Sequence, residues 1–312
     1  MAAAYGGDTR NGDAYHCDTR SRDTHNGGDQ MRTPRRILAT VLCCALAAAS
    51  LTGCEGASDA SANLPEGPTI TIGVAADMPG LSRLHDGSYS GFDVNVATYV
   101  ANELGYAKKQ IMFRSVTVSD YSKRLNDRFV DIVAAPLPIG ITSSDDATTF
   151  AGPYLSAAQG LLVRADDADT ITGTDDLAGH TVCTVTGSGA SDGIRSLQPK
   201  ARIQERATYL QCVTALLVGE ADAVSGDDAA LAGLAANEGS QYLHVVSGRF
   251  GTSLHAVSVK AGESALASKI DAILKQMVTS GTWRSFADEM TNQLGYHPYA
   301  KLNPPTIRSD NG

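Results

Sequence analysis

GFDVNVATYVANELG, residues 91–105, is the stretch from which the fold class is first apparent. Its apolar residues recur at the period of a helix with one buried face: Val94, Val96, Tyr99, Val100 and Leu104. Gly105 can end that helix. The β-rich run TITIGVAAD (69–77) precedes it, and IMFRSVTV (111–118) follows it. A strand, a helix and a second strand in this order predict an α/β unit with a mostly parallel sheet.

The alternation of strands and helices continues to residue 295. DYSKRLNDRF (120–129) predicts a short polar helix, and VDIVAAPLPI (130–139) predicts a strand that runs into a loop broken by proline. After the strand GLLVRA (160–165) the pattern restarts with a second set of strands and helices. It ends in two amphipathic helices within 264–295, broken at a Ser-Gly pair. The sequence therefore predicts two α/β units in tandem.

The segment before these units has the features of an export signal. Residues 31–36, MRTPRR, are basic, and a short apolar block follows from Ile37 to Ala49. A basic start, an apolar core of this length and small residues after it form a secretory signal. LTGC, ending at Cys54, resembles the bacterial lipobox, which implies a lipidated Cys54 and a protein anchored on the outer face of the cell membrane. The alternative is a simple secretory signal that is cut at a nearby alanine.

Composition divides the rest of the leader from the folded part. Residues 1–30 are polar and rich in Gly and Asp, and we expect them to be a disordered, non-native upstream extension. The signal then covers 31–54. Residues 55–68 are rich in small and polar residues and read as a flexible tether.

Charge and cysteine content narrow the classes of function. The net charge of −9 argues against nucleic acid as a partner, because nucleic-acid-binding proteins carry basic patches. No Cys/His cluster has the spacing of a metal site, and we expect no metal and no cofactor. Cys183 and Cys212 are the two cysteines of the folded part. In an exported protein they indicate one disulfide, with two buried free thiols as the alternative.

The longer stretch GSYSGFDVNVATYVANELG (87–105) resembles the signature of the family 3 extracellular solute-binding proteins, which serve ABC importers of polar amino acids. Further matches follow in order, from residue 69 to residue 295: VDIVAA, FAGPYLSAAQGLLVRADD, DLAGHTVCTVTGS, GEADAVSGDDAALAG and KIDAILKQMVTSGTWRSFADE. The chain most resembles the glutamate-binding lipoproteins of actinobacterial type.

This resemblance implies a two-lobed periplasmic-binding-protein-like (type II) fold, in which two crossing hinge strands join two α/β lobes. Lobe 1 would be 69–157 together with 252–295, lobe 2 would be 158–251, and 296–312 would be a Pro-rich tail. The lobes would close on a small polar solute, an amino acid or a derivative of one. The partners implied are the permease subunits of an ABC importer, and the protein would be a monomer.

The resemblance also implies a set of ligand-binding residues in loops that follow strands. Asp227 would bind the ligand's ammonium, with a helix N-cap as the alternative role. Ser188 and the backbone near Gly187 would donate to the carboxylate, with an ordinary strand-to-helix turn as the alternative. Asp77, in the loop after the first strand, is another expected ligand residue. Leu81, Leu137 and Pro138 would form an apolar wall. Thr142 matches the threonine of a T-x-x-R run that the family has.

One departure from the family bears on the ligand. The family's arginine for the carboxylate follows a T-x-x-R run, but here Asp145 occupies its position, and a second common arginine position holds Tyr121. Either another cation, Arg83 or Arg124, substitutes, or the ligand is not a standard α-amino acid and glutamate binds weakly. His255, on the second crossing strand, is a packed hinge residue or a ligand.

Three functions compete at this point. The first is the solute receptor of an importer, the second a ligand-sensing lipoprotein on the same fold without a transport role, and the third a dehydratase-like enzyme. The sequence has no Ser-His-Asp spacing and no Walker loop. We therefore expect a binding protein and not an enzyme.

Overall fold

The computed structural model describes residue 65 and residues 67–141, 144, 147–239 and 241–307. The strands in these ranges are β1 (Ile70–Val74), β2 (Asp77–Met78), β3 (Ser82–His85), β4 (Ser88–Ser90), β5 (Ile111–Ser115), β6 (Ile132–Pro136), β7 (Thr148–Arg164), β8 (Thr181–Val185), β9 (Arg202–Arg206), β10 (Ala223–Asp227), β11 (Leu243–Val245) and β12 (Phe250–Lys260). The α-helices are α1 (Phe92–Glu103), α2 (Tyr121–Asn126), α3 (Ala190–Leu197), α4 (Tyr209–Leu217), α5 (Asp228–Glu238), α6 (Ser264–Thr279) and α7 (Thr282–Leu294).

Nine of the strands form one sheet in the order β5-β1-β6-β12-β7-β10-β8-β9, with β11 paired to β7. At one end β1 pairs in parallel with β5 and β6, and at the other end β8 pairs in parallel with β9 and β10. We call the half that contains β1 lobe 1 and the half that contains β8 lobe 2. The long strands β7 and β12 run antiparallel between them. This is the two-lobed type II fold with two crossing strands that the sequence predicts.

The crossing strands are shared by the two halves. The first part of β7 pairs with β12, which also pairs with β6 of lobe 1, and the last part pairs with β10 of lobe 2. The predicted lobe boundaries at 157/158 and 251/252 fall inside β7 and β12. Because one continuous strand belongs to both lobes, the crossing itself is the hinge.

The helix predicted at 91–105 is α1, and it packs by the face that its apolar period predicts. Val94, Val96, Val100 and Leu104 are buried in the main core, and Tyr99 packs against it. The ring of Phe92 meets the ring of Trp283 edge-on, with centroids 6.1 Å apart, so α1 and α7 pack together. The predicted break at Ser280–Gly281 separates α6 from α7, with Gly281 in the left-handed region at φ 83°.

The first strand is shorter than predicted. The sequence predicts one strand over 69–77, but β1 ends at Val74, and Asp77 begins a separate three-stranded sheet of β2, β3 and β4. Asp86 and Gly87 join β3 to β4, both with positive φ (49° and 75°). An Asp-Gly pair with this backbone is a strong hairpin signal, and the prediction missed it.

Segment 296–307 packs onto the hinge. The side-chain amide of Asn303 accepts a hydrogen bond from the N–H of Ser156 (2.9 Å) and donates one to its carbonyl (2.8 Å). Ser156 lies on β7 at the crossing. Tyr296 is buried in the main core and donates from its hydroxyl to Asp228 Oδ1 (3.1 Å). The Pro-rich composition of this segment gave no sign of these contacts.

Lobe 2 contains a disulfide between Cys183 of β8 and Cys212 of α4. Their Cα atoms are 5.5 Å apart, and 29 positions separate them in sequence. Both residues are buried in the core. Of the two alternatives for these cysteines, the structure has the disulfide.

Candidate functional site

A cavity of about 230 Å³ lies where the carboxyl ends of β1, β5 and β8 meet the start of α4. Open α/β sheets bind their ligands at such strand ends. The cavity lies between the lobes because β1 and β5 belong to lobe 1, whereas β8 and α4 belong to lobe 2. The residues on its wall are Ala75, Ala76, Asp77, Met78, Ser115, Val116, Thr117, Val118, Asp120, Arg124, Val185, Ala207, Thr208 and Tyr209.

Hydrogen bonds cross from one lobe to the other beside this cavity. Asp77 Oδ2 of lobe 1 accepts from the backbone N–H of Tyr209 in lobe 2 (2.6 Å). The N–H of Ile139, in the loop after β6, donates to the carbonyl of Ser188 in the turn after β8 (2.6 Å). The lobes are therefore in contact, and the structure is a closed form.

Glycines allow this close approach. A Cβ added at Gly189 would lie 2.6 Å from the carbonyl oxygen of Ile139, and one added at Gly233 would lie 1.9 Å from that of Pro79. Both glycines belong to lobe 2, and both oxygens belong to lobe 1. Side chains at these positions would hold the lobes apart.

Asp77 lies at the N-terminus of α4, where the first backbone N–H groups have no partner within the helix. Burial raises the pKa of the Asp77 carboxyl, and the N–H groups of Tyr209 and Leu210 oppose this effect. Thr208 caps the same helix by accepting from the N–H of Gln211 (3.3 Å). A carboxylate is favoured at a helix N-terminus, so Asp77 acts as a contact between the lobes as well as a wall residue.

Arg124 and Asp120 form an ion pair on the lobe 1 wall. Arg124 Nε lies 3.0 Å from Asp120 Oδ2, and Asp120 Oδ1 accepts from the N–H of Thr117 (2.8 Å). Burial opposes the charge of Asp120, but these two donors outweigh it and lower the pKa of its carboxyl. The guanidinium Cζ of Arg124 lies 4.7 Å from the centroid of the Phe129 ring, at cation–π distance.

Beyond the cavity, a buried polar network runs through the crossing strands. His255 of β12 has Nδ1 3.0 Å from Asp93 Oδ1 and Nε2 3.2 Å from Asp227 Oδ2. Tyr154 donates to Asp93 Oδ1 as well (2.9 Å). Burial lowers the pKa of His255, but the two carboxylates outweigh burial and raise it to about 10. His255 is therefore a charged, packed hinge residue.

Comparison of the sequence with known proteins shows the family to which the chain belongs. The sequence profile of the bacterial extracellular solute-binding proteins, family 3, matches residues 70–293. The chain belongs to this family. A glutamate-binding protein of Corynebacterium efficiens is 32% identical to it over 273 residues, which cover 83% of this chain and 91% of the relative. A glutamine-binding protein of an ABC transporter of Bacillus subtilis is 31% identical over 232 residues, covering 73% and 83%.

Solved structures show the same fold at lower identity. An ancestral arginine-binding protein with bound glutamine superposes with a TM-score of 0.65 and 23% identity, covering 74% of this chain and 100% of its own. The solute receptor for L-cysteine of Neisseria gonorrhoeae gives a TM-score of 0.66 and 22% identity, covering 77% and 95%. Both curated relatives are named for binding an amino acid, and the second is named as part of an ABC transporter, which confirms the expectation of a binding protein and not an enzyme.

Asp227 of this solute-binding protein does not reach the cavity. Its Oδ1 accepts from the N–H groups of Ala229 and Ala230 (3.0 Å each), which makes Asp227 the N-cap of α5. Its Oδ2 pairs with His255, the charge of which outweighs burial and lowers the pKa of the Asp227 carboxyl. Both oxygens are used inside the protein. In the structure Asp227 has the alternative role, a helix N-cap, and its expected role as ammonium partner stays a prediction.

The neighbouring Asp228 is buried behind the hinge. It accepts from the N–H of Ala158 (3.1 Å) and from the hydroxyl of Tyr296, and its Oδ2 lies 2.7 Å from Arg249 Nε. Burial and the charge of Asp227 raise the pKa of Asp228 to about 6.

The Gly/Ser turn lies against lobe 1 instead of on the cavity wall. Ser188 is buried, its N–H donates to the carbonyl of Val185 (3.1 Å), and its hydroxyl accepts from the N–H of Ala190 (3.3 Å). Gly187 has φ 80°, and a Cβ there would lie 3.1 Å from Ser119 Cα. Here the turn contacts lobe 1 and starts α3, and the expected donation to a ligand carboxylate stays a prediction.

The expected apolar wall residues are core residues in the structure. Leu81 is fully buried in the main core, and Leu137 packs against Phe150 and Ala256. Pro138 is half-buried in the following turn and lies off the cavity wall. Leu81 and Leu137 are held by the core, where their apolar surface is removed from water.

Of the remaining expected residues, some lie away from the cavity and some lie outside the described ranges. Tyr121 packs in a small lobe 1 cluster with Val116 and Leu125, and Arg83 lies half-buried opposite Asp77 in the β2–β3 ribbon. Neither lines the cavity. Thr142 and Asp145 lie outside the described residues, as does Cys54.

Sequence reasoning missed the lobe 2 wall at Thr208 and Tyr209. A threonine before an apolar helix is an N-cap signal that could have located this helix start. Within the described ranges, no group of three or more His, Cys, Asp or Glu side chains is placed to hold a metal ion. No helix in the same ranges is long and apolar enough to cross a membrane.

Proposed function

We propose that this solute-binding protein captures an amino acid, or a derivative of one, by closing its two lobes, and delivers it to an ABC importer. The observation that carries the proposal is the cavity between the lobes, with three charged side chains on its wall. Its volume of about 230 Å³ is below the roughly 300–1,000 Å³ of sites for drug-sized ligands, so it suits a smaller solute. The relatives named for glutamate and glutamine support the same class of ligand.

The leader and the family support a proposal on where the protein acts and with which partners. Lipidation at Cys54 would hold the protein on the extracytoplasmic face of the cell membrane, and the segment 55–68 would act as the tether. Its partners would then be the permease subunits of the importer, and the protein would act as a monomer. The closed lobes would present the loaded state to the permease.

The ligand class is tested with the purified full-length protein by thermal shift and titration calorimetry. The panel contains the twenty amino acids, with polyamines and sugars as other classes. A solute at 100 times its Kd stabilises the folded state by about 2.7 kcal/mol, which raises the Tm of a chain of this size by about 5–10 °C. We expect at least one amino acid to do so. If only sugars or polyamines bind, the proposed ligand class is wrong.

Capture by closure is tested with a pair of glycine variants. Gly189→Ala places a Cβ 2.6 Å from Ile139 of the other lobe, whereas Gly179→Ala has no atom within 4 Å of the new Cβ. Both glycines have a positive φ, 75° and 82°, so both variants carry similar backbone strain. We expect only Gly189→Ala to weaken binding of the amino acid by tenfold or more. Equal affinities in the two variants would contradict capture by closure.

A further inference from the structure

We propose that Arg124 is the residue that binds the carboxylate of the solute. This inference rests on the proposed function, and it names the chemical class of the ligand as an amino acid with a free carboxylate. It also identifies, for this chain, the cation that stands in for the arginine that the family has in its T-x-x-R run.

The charges on the cavity wall support this assignment. Among the described wall residues, Asp77, Asp120 and Arg124 are charged, so Arg124 is the one cation. Arg83, the other substitute considered from the sequence, is not on the wall. His255 is fully buried in the hinge between two carboxylates. A carboxylate in this cavity therefore finds its opposite charge at Arg124.

The guanidinium is oriented for such a partner. Asp120 binds only Nε, and no described residue hydrogen-bonds to Nη1 or Nη2 of Arg124. The ring of Phe129 lies against the guanidinium and restricts its plane. Asp120 is itself held by the N–H of Thr117. A guanidinium that is fixed on one edge, and that has no partner among the described residues on the other, presents two parallel donors, which is the geometry that a carboxylate accepts.

The position of Arg124 on α2 is close to a position where the family has an arginine and this chain does not. Arg124 is three residues after Tyr121, which occupies one of the family's arginine positions. Residues three apart lie on neighbouring parts of one helix surface, so a cation at 124 can serve nearly the same region as one at 121. Tyr121 instead packs in the lobe 1 core.

The two acids on the wall specify the rest of the solute. Two carboxylates against one guanidinium leave the wall with an excess of negative charge, which favours a solute that carries an ammonium group as well. The solute that matches both features is a zwitterion. An amine without a carboxylate would offer no acceptor to the Nη1 and Nη2 groups of Arg124, which would keep only Asp120 at Nε.

The test compares each amino acid that binds with its own α-carboxamide, which keeps the ammonium and the side chain. Calorimetry is done on the full-length protein, on Arg124→Gln and Arg124→Lys, and on Lys123→Gln as the control. Lys123 is an exposed cation on the same helix, paired with Asp127 four residues away. Tm values of the unliganded variants show that each is folded.

We expect the wild-type protein and Lys123→Gln to bind the free acid at least about 30-fold more tightly than the amide, as a lost charged partner in a closed site predicts. Arg124→Gln should reduce this preference for the acid over the amide to about threefold or less, and Arg124→Lys should give an intermediate preference. An unchanged ratio in Arg124→Gln, or an equal loss for acid and amide, would overturn the role of Arg124. If the wild-type protein binds no amino acid at all, the proposed function fails first and the inference fails with it.

Discussion

His255 Nε2 lies 3.2 Å from Asp227 Oδ2, and this pair joins the second crossing strand to the start of a lobe 2 helix. The other ring nitrogen lies 3.0 Å from Asp93 of lobe 1. All three side chains are almost completely buried. One charged imidazole therefore bridges a carboxylate from each lobe at the point where the lobes are joined.

Replacing His255 by Gln should strongly destabilise the protein. The amide leaves two buried carboxylates without a cation, and breaking a buried ion pair by removing one partner typically costs about 3–5 kcal/mol. Urea unfolding measures the free energy of unfolding of the variant. His180→Gln is the control, because His180 pairs with Asp222 at a half-exposed site, where such pairs contribute about 0–1 kcal/mol. Equal losses of unfolding free energy in the two variants would show that the charge of His255 contributes no more to stability than that of a half-exposed histidine.

The same histidine should make stability depend on alkaline pH. The pKa of His255 is about 10 in the folded protein, above its ordinary value of 6.5. Its contribution is therefore complete below about pH 6.5 and is lost as pH rises towards 10, at up to about 1.4 kcal/mol per pH unit for one proton. We expect the free energy of unfolding to fall between pH 7 and 9.5 in the wild-type protein, and to fall less in His255→Gln. Parallel pH profiles would mean that this imidazole is not charged in the folded state.

Reduction of the Cys183–Cys212 disulfide should lower stability. The bond closes a loop of 29 positions, for which the chain-entropy model gives roughly 3–4 kcal/mol. Unfolding in urea with and without a reductant measures the difference. A thiol assay on the denatured, unreduced protein should find neither thiol reactive. If both react, the two cysteines are free thiols in the protein as isolated.

Cys54→Ala should release the protein from membranes. The basic start, the short apolar block and the LTGC sequence predict lipidation at this sulfur, and acyl chains supply the membrane affinity of such an anchor. Membrane fractionation of cells that express the wild-type protein or the variant measures the effect. Cys43→Ala is a suitable control, because it removes a cysteine of the apolar block that precedes the LTGC sequence. Retention of Cys54→Ala on the membrane would contradict the anchor.

The elements with a strong apolar period could be predicted from the sequence, and the polar contacts could not. The helix at 91–105 and the two helices around Gly281 follow from side-chain spacing, because burial of one face determines them. The ribbon of β2, β3 and β4 is short and polar, so spacing carries little information about it. Only the Asp86–Gly87 pair marks its turn.

The site was harder to predict because its residues meet only when the lobes close. Asp77 and Tyr209 are 132 positions apart, and their hydrogen bond depends on the hinge. For Asp227, one carboxylate could serve a ligand or a helix N-terminus, and the sequence holds no information on which donor lies nearer. In the structure one oxygen of Asp227 caps α5, and His255 takes the other.

The hydrogen bonds between Asn303 and Ser156 attach the segment 296–307 to the hinge. This segment holds the middle of β7 by both backbone groups, and none of its residues lines the cavity between the lobes. A dye on the exposed Lys301 would therefore move with the crossing strands and report closure optically, while the binding wall stays chemically unaltered. The same coupling makes this segment a place where an engineered tether or peptide insertion would set how readily the lobes close.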